Sequence, residues 1–427
     1  MLIKLAELLV PPDPNIEYDC SNYTKSKGFT LLMKLVLLTK EYPELNGEIK
    51  KYITENKSEV NKSNENGWTA LMLACRNSNI KSTEITIKML IDDGAYINLM
   101  NNSGWTALMV ACRFSNIDST ENTVKMLIEA GADLNLQKNN GGTALLIACT
   151  YSNIDSSENI VKMLIDAGAD VNLKDIDGWT ALMLACRNSN IRSTEITVKM
   201  LIDSGAYVNL KANNGWTALM NACRYSNTDS TEKTVKMLID SGAHVNLKET
   251  DGLTALMLAC RASNTDSTEK TVKMLIDSGA DLNLKENNGW TALMLSARYS
   301  NTDSSENTVK ILIDSDADLN LRKKNGWTAL MLSAGYTNTD SNENTVKILI
   351  DNGANLTSHD IIKINSINDN LTEMIHNHSV NIGQHKSIEC FICYEFQPGV
   401  FMKCNHYVCF ECYPKIVKCP FCRGLIK

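Results

Sequence analysis

The sequence predicts a mainly α-helical solenoid built from helix-pair units of 37 residues, followed by a small module held together by zinc. Three observations lead there. The motif Gly-Trp-Thr-Ala-Leu-Met, or a close variant, begins at Gly67 and returns at Gly104, Gly141, Gly178, Gly215, Gly252, Gly289 and Gly326, each 37 residues after the last. Within each period apolar residues recur at i, i+3 and i+4, the spacing of one helical face. Residues 390–427 hold seven of the chain's 14 cysteines, a density that calls for metal where a segment is too short to fold by burial alone.

Residues 1–27 form an amino-terminal segment. Its start, Met1 to Val10, is apolar but interrupted by Lys4 and Glu7 and closed by Pro11-Pro12, which suits neither a signal peptide nor a membrane span. Residues 28–66 read as a degenerate first unit, because Gly28-Phe-Thr-Leu-Leu-Met33 is a diverged copy of the motif 39 residues before Gly67. This unit is expected to cap the stack. Eight regular units follow over residues 67–357.

The unit that starts at Gly104 shows how each is made. Thr106 caps a short helix through its hydroxyl, with Leu108, Ala111 and Cys112 on one face. Ser119 and Thr120 offer a second cap, Val124, Leu127 and Ile128 give the stripe of a second helix, and Gly131 ends it where a left-handed residue is needed. Residues 132–141 are turn-rich. Such a unit has two half-buried faces that only stacked neighbours can cover, so the repeats must form a solenoid. In the seventh unit Asp316 replaces the helix-ending glycine. After Asn355 the pattern decays, and residues 358–385 read as an irregular closing repeat and a linker; residues 386–427 form the zinc module.

Composition narrows the function. The net charge is −7 and the lysines and arginines are scattered singly, so no basic stripe for nucleic acid is visible. No segment is long and apolar enough to span a membrane. Outside the zinc module the cysteines are Cys20 and one in each of six units, Cys75, Cys112, Cys149, Cys186, Cys223 and Cys260, a packing pattern with no disulfide framework. A reducing compartment, cytoplasmic or nuclear, is the expected location. The carboxyl-terminal donors run Cys390, Cys393, Cys404, His406, Cys409, Cys412, Cys419 and Cys422. Four pairs of thiolate and imidazole donors at these spacings satisfy two closed tetrahedral Zn²⁺ sites. With every coordination position filled by protein, neither ion can activate a water.

The repeats resemble the ankyrin family, whose Gly-x-Thr-Pro-Leu-His-x-Ala-Ala core, Val-x-x-Leu-Leu second helix and Gly-Ala-Asp-x-Asn turn are traceable over roughly residues 28 to 357. The departures are alanine for the proline, methionine or leucine for the histidine, and four extra residues in the Ser-Asn-x-Asp-Ser loop between the helices. Arrays of this family generally bind proteins. Trp68, Trp105, Trp179, Trp216, Trp290 and Trp327, the chain's six tryptophans, fall where the resemblance implies the hairpin side of a concave docking surface, with Gly142 and Leu253 interrupting the row. Two readings stay open: a row of anchors for a protein substrate, or indoles that brace one unit against the next. The six repeat cysteines sit where the family has a buried alanine. His376 and His378 are read as solvated, with an extra metal site as the alternative.

The zinc module resembles a RING finger, and Cys419-Pro-Phe-Cys-Arg-Gly-Leu-Ile-Lys427 is similar to the compact RINGs of inhibitor-of-apoptosis proteins. The resemblance implies a cross-brace, one Zn²⁺ held by Cys390, Cys393, Cys409 and Cys412, the other by Cys404, His406, Cys419 and Cys422. It also implies a RING-type ubiquitin ligase that carries no covalent intermediate. Ile392, Ile416 and Pro420 would form the groove for a ubiquitin-conjugating enzyme, and Arg423 would be the linchpin that contacts both that enzyme and ubiquitin. Compact RINGs often dimerise through residues beyond the last ligand, a surface this chain carries only as far as Lys427. The same architecture occurs in eukaryotes and large DNA viruses, and the richness in Asn, Lys and Ile suits the latter. The alternative is a non-catalytic ankyrin adaptor whose finger serves only for assembly.

Overall fold

The computed structural model describes residues 8–356 apart from 14, 22, 23 and 338, together with 360 and the backbone of four short strands between 388 and 409. The chain divides into two compact units, one of residues 1–221 with 229–242, the other of residues 222–228 with 243–427. In the first, strands Tyr18–Ser21 and Thr24–Ser26 pair antiparallel before the helices begin. Helices Leu31–Val36 and Leu45–Glu55 follow, and then the pairs Ala70–Arg76 with Glu84–Asp92, Ala107–Phe114 with Glu121–Glu129, Ala144–Tyr151 with Glu158–Asp166, and Ala181–Asn188 with Glu195–Asp203. Helix Glu232–Asp240 completes the unit. The second contains the pairs Ala255–Arg261 with Glu269–Asp277, Ala292–Arg298 with Glu306–Asp314, and Ala329–Gly335 with Glu343–Asp351. Helix Ala218–Arg224 spans the division.

The fold is a helical solenoid within each unit, and its caps are the ones the sequence implies. Thr106 accepts a hydrogen bond from the Met109 N–H, and Thr120 accepts one from Thr123. The same threonine-to-third-residue bond starts the first helix of each pair named above. Each cap contributes about 1 kcal/mol.

One expectation needs correction. Periodicity suggested that a first helix buries one face, with Leu108, Ala111 and Cys112 on it. In fact Ala107 through Cys112 are all buried, because the first helix is enclosed by its neighbours, its own second helix and the adjoining turns. A helix buried all round has no polar side to report its orientation. The second helices behave as expected, burying Thr123, Val124 and Leu127 and leaving Lys125 exposed.

The repeat cysteines are core. All six are fully buried, and burial pushes the thiols of Cys75, Cys112, Cys149, Cys223 and Cys260 well above their ordinary range. A thiol raised in this way favours the fold fully below the unfolded-chain value of about 8.5 and loses that contribution as pH climbs beyond it. The urea midpoint should therefore fall from pH 8 to pH 10, and replacing these five cysteines by alanine should flatten the decline. An unchanged slope would show that the thiols do not govern alkaline stability.

The inserted loop between helices, a departure from the family pattern, forms a second seam. Ser152 lies 3.1 Å from the Ser193 hydroxyl and 2.9 Å from that of Thr197, and the pattern recurs at Ser189 with Ser230 and Thr234, and at Ser263 with Ser304 and Thr308. These hydroxyls are buried, so each must find a partner inside the protein. At the far end of the array the Arg322 guanidinium makes two hydrogen bonds, 2.8 and 2.7 Å, to the buried carboxylate of Asp360.

Asp316 has φ +68°, the one non-glycine residue with positive φ among the described residues. At the matching Gly279 a Cβ would meet nothing within 4 Å, so the penalty at Asp316 is purely conformational. Asp316→Gly should raise stability by about 1 kcal/mol. A urea midpoint no higher than that of the unsubstituted protein would contradict this.

Candidate functional site

The tryptophans stand on the turns that lead into the first helices. The Asn101 N–H donates to the Trp105 carbonyl at 3.0 Å and the Gly104 N–H to the Asn101 carbonyl at 2.8 Å, which closes the turn. The Asn101 Oδ1 then accepts the N–H groups of Ser103 and Trp105, both at 2.9 Å. Asn64, Asp175 and Glu286 fix Trp68, Trp179 and Trp290 in the same way, and Glu249 fixes Leu253. The row is thus set by side-chain acceptors without regular strands, since a two-residue tip offers no length for a ladder.

Within the first compact unit one turn also grips the next. The Asn102 N–H donates to the Asn66 carbonyl and its Nδ2 to the Glu65 carbonyl, and Asn139 does the same one unit later to Ser103 and Asn102. The close approach requires the motif glycine. Gly104 has φ +81°, and a Cβ there would lie 2.6 Å from the Asn139 nitrogen and the Lys138 Cα.

Lys138 and Lys323 replace the turn acceptor in two units, and an ammonium cannot accept an N–H. Each instead reaches over the preceding indole, Lys138 at 5.1 Å from the Trp105 ring centre and Lys323 at 4.1 Å from that of Trp290. The stem of Lys138 fills the space left by Gly142, whose missing Cβ would sit 3.0 Å from Cε. Burial pushes the Lys138 amine below its ordinary range and the Asp175 carboxyl above its own.

Five of the six indoles, those of Trp68, Trp105, Trp179, Trp216 and Trp290, are half-buried. Trp327 is only 7% exposed, packed against Gly335 and Tyr336. The row therefore combines bracing with partial exposure, and both readings of it keep a physical basis.

A set of residues that the sequence reading passed over joins the first helices to the inserted loops. In the first unit Arg76 pairs with Asp118 and Arg113 with Asp155; in the second, Arg224 pairs with Asp266 and Arg298 with Asp340. The guanidinium of Arg76 also lies 3.4 Å from the Phe114 ring centre and that of Arg113 lies 3.6 Å from that of Tyr151. Their signal was a constant separation of 42 residues, one period plus five, which a search for neighbours within one repeat does not catch.

Cys390, Cys393, Cys404, His406, Cys412, Cys419 and Cys422 lie outside the described residues, as do Ile392, Ile416, Pro420, Arg423, His376 and His378. Of Cys409 only the backbone is described. It ends strand Tyr407–Cys409, which pairs antiparallel with Gly399–Phe401, and Ile388–Glu389 pairs with Phe396–Gln397. The backbone is thus paired antiparallel at two places between residues 388 and 409. Among the described residues no group of three or more His, Cys, Asp or Glu could hold a metal ion, and no helix is long and apolar enough to cross a membrane.

Overlapping stretches from residue 4 to residue 360 match the profile of ankyrin repeats, and residues 386–427 match that of the C3HC4-type zinc finger, the RING finger. Similar proteins include the ankyrin repeat proteins L289 and L88 of Acanthamoeba polyphaga mimivirus. The first is 44% identical over 78 residues, 18% of this chain and 14% of the relative; the second is 35% identical over 85 residues, 19% and 10%. The matches thus span a small fraction of each relative, and neither name carries an activity.

Proposed function

Since the chain belongs to the ankyrin-repeat family and carries a carboxyl-terminal C3HC4 RING-type zinc finger, we propose that it is a RING-type ubiquitin ligase. In this reading the array holds a protein substrate and the finger recruits a conjugating enzyme already charged with ubiquitin. The observation that supports it most strongly is the pairing of a protein-binding array with a complete set of eight RING donors in one chain. Seven thiols and one imidazole suit two Zn²⁺ ions, which act here as scaffold. Cys390, Cys393, Cys409 and Cys412 would hold one, and Cys404, His406, Cys419 and Cys422 the other.

Catalysis then rests on orientation. Ile392, Ile416 and Pro420 offer the conjugating enzyme an apolar foothold. Arg423, with five donors in a rigid fork, can hydrogen-bond both partners and hold the thioester where a substrate lysine attacks it. The repeat thiols take no part, because those at positions 75, 112, 149, 223 and 260 are buried and kept protonated. On the array, the part-exposed faces of Trp68, Trp105, Trp179, Trp216 and Trp290 are the surface we assign to substrate. The proposed location is cytoplasmic or nuclear.

Incubation of the full chain with ubiquitin, activating enzyme and a broad panel of conjugating enzymes tests the reading. Ubiquitin chains on the protein itself are the expected product. No product from any enzyme, with two zinc ions bound per chain, would favour a non-catalytic adaptor.

A further inference from the structure

The fifth regular unit departs from its neighbours at two places that bear on cohesion. The fourth residue of its first helix is Asn221, where each of the other seven regular units carries an aliphatic side chain, Leu184 before it and Leu258 after it among them. Asn221 is 1% exposed. Its Nδ2 donates to the Thr217 carbonyl at 3.0 Å, but its Oδ1 accepts no hydrogen bond from any described group. Exchanging the amide's oxygen and nitrogen does not help, since the oxygen would then face a carbonyl. A buried acceptor without a donor, in place of an aliphatic group, weakens the helix it sits on twice over.

The second departure is Ala212. Most turns supply a carboxylate or amide that takes the N–H of the residue four places on, as Asn101 does for Trp105. Ala212 has no acceptor, and the Trp216 N–H is left with Asn214 at 3.1 Å. No other regular unit combines a turn without an acceptor with a polar residue at this helix position: Lys138 and Lys323 lead into helices that carry Ile147 and Leu332 there.

We propose that the helix Ala218–Arg224 is where the folding cooperativity of the array breaks, with Asn221 as the cause. A linear array is stabilised by each repeat and its nearest neighbours only, so one weak repeat lets the segments before and after it unfold at different denaturant concentrations. The consequence is a built-in site of local opening. Substrate held by the array would then be gained or lost by segments.

Hydrogen exchange and urea denaturation of the full chain test this. Amides of residues 218–224 should exchange about tenfold faster, or more, than those of 181–187 and 255–261, as an unsatisfied buried acceptor implies. Denaturation should show two transitions. Asn221→Leu should slow the exchange to within about threefold of the flanking helices and merge the transitions, and Leu184→Asn added to that variant should restore two. Equal exchange in the three helices of the unsubstituted protein, or two transitions that persist unchanged in Asn221→Leu, would overturn the proposal.

Discussion

Gly104→Ala should destabilise the array by about 3 kcal/mol, against about 1 kcal/mol for Gly131→Ala only 27 residues away. Both glycines have positive φ, +81° and +87°, so both substitutions meet the same penalty for a left-handed side chain. They differ in what surrounds the new methyl group. At Gly131 it would meet nothing within 4 Å, whereas at Gly104 it would press on the backbone of residues 138 and 139 at 2.6 Å. Main chain cannot rotate aside as a side chain can. Relief requires the two turns to separate, which breaks the bonds from Asn139 to the Asn102 and Ser103 carbonyls. Urea denaturation of the two variants checks the ranking; equal losses would mean that turn stacking adds nothing beyond backbone conformation.

Cys393→Ser should reduce ubiquitin chain formation to background and release zinc, while the helical signal of the array stays as it was. A structural zinc site contributes its binding free energy directly to folding, about 10–16 kcal/mol in small zinc domains. A segment of this size has little else to hold it together. Arg423→Ala should act differently, lowering chain formation about 10²-fold, the scale of losing one preorganised donor, with two zinc ions retained. Metal analysis beside the ubiquitin assay separates the two effects. Full activity in Arg423→Ala would remove that residue from the mechanism, and full activity in Cys393→Ser would remove the finger from it.

The two kinds of glycine also mark how far the sequence could be read. Gly131 as a helix terminator was legible from its place after a stripe of Val124, Leu127 and Ile128, because helix ending is a local event. That the glycine at position 104 is needed for closeness to another turn was not, because its partner lies 35 residues on. The same holds for the inserted loops. Their Ser-Asn-x-Asp-Ser text was visible as an addition to the family pattern, but its use as a seam of buried hydroxyls and Arg–Asp pairs depends on contacts at separations of 41 to 45 residues. Asn221 is a third case: one polar letter in an apolar column shows in the sequence, and only burial makes it costly.

Period, caps, the faces of the second helices and the order of metal donors were determined by the sequence alone, since each depends on residues a few positions apart and on the fixed geometry of a helix or a tetrahedral ion. The tertiary structure decided which tryptophans keep an open face, where lysine replaces a turn acceptor and covers an indole, and which glycines bear a neighbour's backbone. Those outcomes depend on what stacking brings from one period away. In a repeating chain the same local sequence recurs, and its surroundings are set by the copies on either side.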